Sequence, residues 1–376
     1  MATDLMQIRS SVGTYAVTES ASLHDALRAA TLAIGRDGQG AFCLIDSEVA
    51  RLYPEAIQQT IPASRLCRVE ADERRKSLDA LQEVILWLLD SGMRRDHSLL
   101  VVGGGVLQDI GCFIASVLFR GVAWEFVPTT LLAGCDSCIG SKSSINVGSY
   151  KNQIGTFCPP RRVHLVGDVM MTLPADELRS GMGEIIKLHL IAGESEFARM
   201  RHLLADVSAA EPLAHPESAS RLSELTRSAL RIKKRYIEED EFDKGVRNLL
   251  NYGHTFGHAY ESATGYAIPH GIAVTLGVAT ATFFSERLEM ARQGYFDELD
   301  AFLHPWYHPF DRIILKTDPA AVVAAMGKDK KNAGNAISCI LTAGAGKMRK
   351  VPLNAQTQVR PILEDFLARL ANGDPA

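Results

Sequence analysis

Three imidazoles fall within residues 249–271, LLNYGHTFGHAYESATGYAIPHG, at His254, His258 and His270. A helix over 249–264 puts His254 and His258 on one face, because residues four apart stack on a helix. Gly265, Tyr266 and Pro269 then predict a turn that returns His270 to that face. Imidazole nitrogens gathered this way suit a divalent metal, and a further ligand from elsewhere would complete an open site. Just upstream, KKRYIEEDEFDKGVRNLLN supplies Lys233, Arg247 and Asn251. Arg247 and Asn251 are four apart and Asn251 precedes His254 by three, so one helix face would carry Arg, Asn, His and His. A polar face of that kind beside Leu249 and Leu250 reads as a site rather than a solvated surface.

Two further groupings carry chemistry. GSKSSINVGSYKNQIG, residues 140–155, holds Lys142, Asn146, Lys151 and Asn152 among glycines and serines. Alone it is a solvated loop or an anion pocket in equal measure, and Lys233 and Arg247 elsewhere tip it toward the pocket. In SLLVVGGGVLQDIGCFIASVLFRG, residues 98–121, an apolar strand runs through Gly103, Gly104 and Gly105 directly into a helix. That arrangement lets backbone N–H groups approach a pyrophosphate, although Gln108 stands where a dinucleotide fingerprint has its third glycine. Asp46 at the end of AFCLID, and Thr129 and Thr130 after AWEFVP, lie at predicted strand ends, where α/β sheets bind their ligands.

The elements that must hold these groups change character once along the chain. From about 40 to 170, short apolar runs (AFCLID, SLLVVGGG, AWEFVP, RRVHLVG) alternate with helical stretches such as 77–92, the pattern of βαβ units and a mostly parallel sheet. After Pro174 the runs are long and helix-periodic: 176–192, 196–206, 217–239, 247–263, 271–294 and 358–371. The expectation is an α/β dinucleotide-binding domain over 1–175, Rossmann-like, followed by a mostly helical metal- and substrate-binding domain over 176–376. His304 and His308 repeat the four-residue spacing, but Pro305 and Pro309 oppose a helix there, so both are read as loop residues without a metal role.

Composition narrows the partners. A chain of 376 residues with 47% hydrophobic and 22% charged content is ordinary for a globular protein of two domains or one large two-lobed body, and a net charge of −4 leaves no basic excess for nucleic acid or an anionic membrane. The first residues have no apolar run of signal-peptide kind, and GIAVTLGVATATFF is too short to span a bilayer, so a cytoplasmic enzyme is expected. Seven cysteines without a framework of spacings fit a reducing compartment. Cys135 and Cys138 form a C-x-x-C, but with no second pair they read as buried apolar residues.

Taken in order, GGGVLQDIG, FRG, VPTTLLAGCDS, SKSSINVGSYKNQIGTF, LPADELRSGMGEIIK, DEFDKGVRNLLNYGHTFGHAYE, IPHG and KDKK resemble the 3-dehydroquinate synthase family of NAD- and metal-dependent sugar-phosphate cyclases. The resemblance spans about residues 40–350. It implies zinc, or cobalt, held by Glu184, His254 and His270. It implies NAD against Asp46, Glu73, Lys76, Gly103 to Gly105, Asp109, Thr129, Thr130, Lys151, Thr172, Leu173 and Glu177, with Asp136 and Lys142 also beside it. The substrate's phosphate would meet Lys142, Asn152, Asn251, His258, Lys330 or Lys331, and Arg120 from the second subunit of a homodimer. Its carboxylate would face Lys233 and Arg247. Lys187, His258, Asp136 and Lys142 would serve catalysis.

The activity so implied is transient oxidation by NAD, elimination of phosphate, re-reduction, and intramolecular aldol closure of a heptulosonate 7-phosphate to a carbocycle. Departures from the family pattern, SKSSIN and VGSYK, keep open a cyclase of amino-dehydroquinate, valiolone or deoxy-inosose type. A zinc polyol dehydrogenase shares the glycine turn and paired histidines but has no reason to gather Lys142, Lys151, Lys233 and Arg247.

Overall fold

The computed structural model describes residues 2–34, 40–148, 150–205, 207–209, 216–327 and 336–372. The chain clusters into two units, residues 1–173 with 234–242, and residues 174–233 with 243–376.

Unit 1 is built on a seven-stranded sheet. Along the chain run β1 (Thr3–Ser10), β2 (Gly13–Ser20), α1 (Leu23–Ile34), β3 (Ala41–Asp46), α2 (Ser47–Leu52), α3 (Pro54–Gln58) and β4 (Leu66–Val69). These are followed by α4 (Leu78–Asp90), β5 (Ser98–Gly103), α5 (Gly105–Val117), β6 (Ala123–Pro128), β7 (Ile145–Val147), β8 (Tyr150–Ile154) and β9 (Arg162–Val166). Strand order is β1-β2-β9-β6-β5-β3-β4, parallel throughout except for the antiparallel β1–β2 edge, while β7 and β8 pair separately. The four apolar runs named from the sequence are β3, β5, β6 and β9, and their continuous hydrophobicity follows from burial on both faces. Leu100 and Val102 pack with Leu23 and Leu27 of α1. Val101, pointing the other way, lies against Gly111 of α5, where an added Cβ would meet Val101 Cγ2 at 2.3 Å. The parallel register sets Asp46, Gly103 and Thr129 at one edge of the sheet, the carboxyl ends of β3, β5 and β6.

Unit 2 is mostly helical: α6 (Ala175–Ala192), α7 (Glu194–Leu203), α8 (Pro216–Glu239, its last turns clustering with unit 1), α9 (His254–Ala263) and α10 (His270–Arg287). Then come α11 (Tyr295–Tyr307), α12 (Asp311–Ile314), α13 (Pro319–Gly327), the antiparallel hairpin β10 (Ala336–Thr342) and β11 (Met348–Asn354), and α14 (Arg360–Ala371). Helix α10 is the centre, with residues 271–285 all buried, and α6, α9, α11 and β10 pack around it. Its even hydrophobicity is that of a helix enclosed on every side. No helix of the described residues is long and apolar enough to cross a membrane.

Two expectations are corrected. The stretch 247–263 is not one helix: residues 246–251 form a tight 3-10 turn, Tyr252 is extended, and Gly253 at φ +79° starts α9. A side chain at Gly253 would strike Val278 Cγ2 at 2.7 Å and the Val274 carbonyl at 2.8 Å, so the chain breaks where α10 comes too close for anything but glycine. Arg247 and Asn251 therefore do not share a helix face with His254 and His258. His304, read as a loop residue, lies within α11 with Pro305 inside the same helix. The proline costs about 3 kcal/mol. Burial of Leu303, Trp306 and Tyr307 in that turn outweighs it, at about 1.5–3 kcal/mol for each large side chain.

Candidate functional site

At the strand-end edge of unit 1, β5 closes with Gly103 and α5 opens at Gly105 after Gly104, whose position carries no side-chain cap. A Cβ on Gly103 would touch Leu107 at 2.9 Å and one on Gly104 would touch the Thr130 methyl at 3.0 Å, so bare backbone is what fits here. The first turn of a thirteen-residue helix, with no side chain capping it, offers backbone N–H groups that suit a pyrophosphate, so the residues present fit a dinucleotide. Thr129 N–H bonds the Gly103 carbonyl at 2.9 Å, and Thr130 Oγ1 accepts from Ala133 N, which ties the two threonines to this turn.

Lys76 organises the polar groups of the unit. Its buried Nζ lies 2.7 Å from Asp109 Oδ2, 3.1 Å from Asn152 Oδ1, 3.3 Å from Ser144 Oγ and 3.5 Å from Glu73 Oε1. Burial opposes its charge, but Asp109 and Glu73 outweigh that and hold the ammonium above the ordinary lysine range. Asp109 also accepts from Ser144 N at 3.0 Å and Ser144 Oγ at 2.8 Å, while Lys151 Nζ is 3.8 Å from Glu73 Oε1. Asn152, at φ +55°, donates its N–H to Asn146 Oδ1.

Asn152, assigned to phosphate by resemblance, is thus brought together with Glu73, Lys76, Asp109 and Lys151 of the cofactor set. Asp46 caps α2, accepting from Glu48 N at 2.8 Å, and burial raises its carboxyl. Thr172 Oγ1 meets the hydroxyl of Tyr53 at 3.2 Å, in the turn that ends at Leu173. Asp136 lies in the turn at 133–137. Lys142 is exposed, with Nζ 6.0 Å from the Phe157 ring centroid. Arg120 is exposed too, at φ +63°.

In unit 2, Glu184 and Lys187 project from α6, and Glu184 Oε2 faces Lys187 Nζ. Glu184 Oε1 lies 3.5 Å from His254 Nε2 and 3.4 Å from His270 Nε2. These gaps are long for N–H···O hydrogen bonds. They are close to the edges of a coordination tetrahedron, since donors about 2.0–2.1 Å from zinc stand about 3.3–3.4 Å apart. The nearest ligand atoms of His254, His258 and His270 also lie within 4.8 Å of one another. One buried carboxylate oxygen and two imidazole nitrogens therefore fit a divalent ion, with His258, the exposed histidine of the three, in the same cluster.

Glu184 and His254 carry the ionisation a ligand set needs. Burial pushes the Glu184 carboxyl up, yet Lys187, His254 and His270 outweigh it and hold the group ionised well below the usual carboxylate range. Burial and Lys187 push His254 far down, so its imidazole is neutral and able to ligate. Burial also disfavours charge on His270, but Glu261 and Glu184 hold it up to about 10, so binding an ion there must release the Nε2 proton.

Glycines set the three ligand positions. Gly183, beside Glu184, and Gly271, beside His270, let α6 and α10 touch backbone to backbone: a Cβ on Gly183 would sit 2.0 Å from the Gly271 carbonyl. The turn through Gly265 and Tyr266, both at positive φ, returns the chain so that the His254 and His270 rings are 5.4 Å apart. In the same unit Lys233 and Arg247 are buried, 7% and 4% exposed. Asn251 Nδ2 bonds the Asn248 carbonyl at 3.0 Å, and Glu177 lies in the first turn of α6.

Lys330 and Lys331 lie outside the described residues. Two groups were not singled out from the sequence: Tyr53, and Glu261, whose Oε2 is 3.1 Å from His270 Nδ1. The signal for Glu261 was its place seven residues after His254 and three after His258, on the histidine face of α9.

Residues 66–180 match the 3-dehydroquinate synthase N-terminal family and residues 181–332 the 3-dehydroquinate synthase C-terminal family. The 3-dehydroquinate synthase of Acidithiobacillus ferrooxidans is 39% identical over 321 residues, covering 83% of this chain and 86% of the relative. Among solved structures, the fold is shared with a 2-deoxy-scyllo-inosose synthase complexed with carbaglucose-6-phosphate, NAD+ and Co2+ (TM-score 0.83, 24% identity, 96% of this chain and 99% of that one). It is shared also with a 2-epi-5-epi-valiolone synthase from Streptomyces hygroscopicus subsp. jinggangensis with NAD+ and Zn2+ bound (TM-score 0.78, 24% identity, 96% and 97%). With both family models matched end to end over residues 66–332, and a curated relative this similar over most of its length, the chain belongs to the 3-dehydroquinate synthase family.

Proposed function

We propose that this protein is a sugar-phosphate cyclase of 3-dehydroquinate synthase type, a phosphate-eliminating carbon–oxygen lyase that converts a heptulosonate 7-phosphate to a carbocycle. The observation that carries the choice of an acidic substrate is the burial of Lys233 and Arg247 in the unit that holds Glu184, His254 and His270. Two cations held in the same unit as the metal set suit an anionic substrate group, read by charge-assisted hydrogen bonds, and a polyol dehydrogenase's neutral substrate has no such group.

NAD is assigned to the glycine turn of unit 1 with the Lys76 network, and zinc or cobalt to Glu184, His254 and His270. The chemistry these groups supply when bound is reversible hydride transfer and polarisation of a substrate hydroxyl. The chain's own side chains do the rest. The Arg247 guanidinium presents two parallel N–H donors to a carboxylate, with Lys233 adding a second positive charge. Lys187, buried against Glu184, holds that carboxylate ionised and keeps a proton donor beside the histidines. His258, the exposed member of the histidine cluster, is assigned to the leaving phosphate by the family resemblance. Closing the substrate's two ends together in one pocket makes the final aldol step effectively unimolecular.

We further propose a homodimer in which Arg120 serves the neighbouring subunit's substrate. Support for this is the left-handed backbone at Phe119 and Arg120, which holds an exposed arginine at a position of strain. A cytoplasmic setting accords with the seven free thiols.

The test is phosphate release by the purified protein with NAD+ and zinc. 3-Deoxy-arabino-heptulosonate 7-phosphate should release phosphate, and sedoheptulose 7-phosphate, which lacks the carboxylate, should be poor. Efficient turnover of the neutral sugar would favour a valiolone-type cyclase instead.

A further inference from the structure

We infer that Glu261 is the positioning residue for the metal ligand His270: it accepts the Nδ1–H of that imidazole and so fixes which nitrogen is left for the ion. The inference rests on the reading of Glu184, His254 and His270 as the metal set. It concerns a residue outside that set.

An imidazole that ligates through Nε2 must carry its proton on Nδ1, and the tautomer is set by what Nδ1 faces. The two ligand histidines differ here. His254 Nδ1 faces the Tyr252 carbonyl at 3.4 Å, a long and weak contact. His270 Nδ1 is 3.1 Å from Glu261 Oε2, within hydrogen-bonding range of a carboxylate that is itself buried. With that bond made, Nε2 is the only nitrogen of His270 left to accept a metal, and it points to Glu184 Oε1 at 3.4 Å.

The fold makes this contact specific. His254, His258 and Glu261 follow one another at four and three residues along α9, so the helix that supplies one ligand also supplies the orienting group for another. His270 is the first residue of α10 after Pro269, and at a helix start its ring has no preceding helical turn to lean on. Glu261 takes the place of that support. A buried carboxylate acceptor also raises the electron density of the ring and with it the ligand strength of Nε2.

The test compares zinc affinity, by competition with a chromogenic chelator, in the parent protein, Glu261→Gln and Glu261→Asp, with the melting temperature of each metal-free form. Glu261→Gln keeps the shape but removes the charge, and its amide can donate to Nδ1 and stabilise the wrong tautomer. Zinc affinity should fall by about 10- to 100-fold. Glu261→Asp should recover part of it, and the metal-free melting temperatures should be alike. Glu261→Gln with the parent's zinc affinity would overturn the inference. So would a loss matched by an equal fall in metal-free stability, which is what a merely structural contact gives. A parent protein that holds no zinc at all would take down the metal reading itself, a result distinct from either.

Discussion

Arg247 shows how much a single residue's surroundings decide. In the sequence it stands near Asp240, Glu241 and Asp243, and exposed pairs of that kind contribute about 0–1 kcal/mol. Its burial makes it a different object, because a buried guanidinium needs its charge answered. Replacing Arg247 by Met should leave zinc content intact and lower kcat/KM for the heptulosonate phosphate by about 2 to 4 kcal/mol of transition-state stabilisation. Steady-state kinetics with metal analysis of the same sample checks this, and an unchanged kcat/KM would remove the carboxylate assignment. At this scale the sequence was most informative where a motif fixes residue type and spacing, as with Glu184, His254 and His270. Glu261 is silent in the sequence because a glutamate near a helix end reads as solvated, and only the return of α10 onto α9 buries it against His270. Asn152 was legible as a polar group in an anion-binding loop, but its bond to Lys76 depends on the β7–β8 pairing, which no local pattern announced.

Elements hold the ligands through backbone contact. Gly183 against the Gly271 carbonyl brings α6 and α10 together directly beside Glu184 and His270. Gly183→Ala should force these helices apart, cost about 1 to 3 kcal/mol of stability, and weaken zinc binding together with it. Denaturant unfolding and a zinc titration would register both, and a variant that kept full stability and affinity would show that the close approach is not what sets the ligands. The central strands and most long helices were readable because continuous apolar runs and 3.6-residue periodicity survive in buried elements. The rest were hidden for stated reasons. In β1 only Ile8 is buried, so an edge strand shows no alternation. The β10–β11 hairpin lies in a half whose period is otherwise helical. The helix over 247–263 failed at Gly253, where tertiary crowding by Val274 and Val278 overrides local propensity.

At the scale of the molecule, each unit has its own chemical character: a parallel sheet ending in a glycine turn and a lysine network in one, a buried carboxylate–imidazole cluster with two buried cations in the other. A dinucleotide and a divalent ion together would also serve a dehydrogenase, so the central claim is that the reaction is redox-neutral overall. The measurement that tests it is turnover with NAD+ held far below the substrate concentration, following phosphate release and NADH absorbance in one cuvette with zinc-loaded protein and 3-deoxy-arabino-heptulosonate 7-phosphate. The account predicts many phosphates released per NAD+ with no net build-up of NADH. Release that stops once the NAD+ is consumed, with NADH accumulating one for one with product, would contradict it.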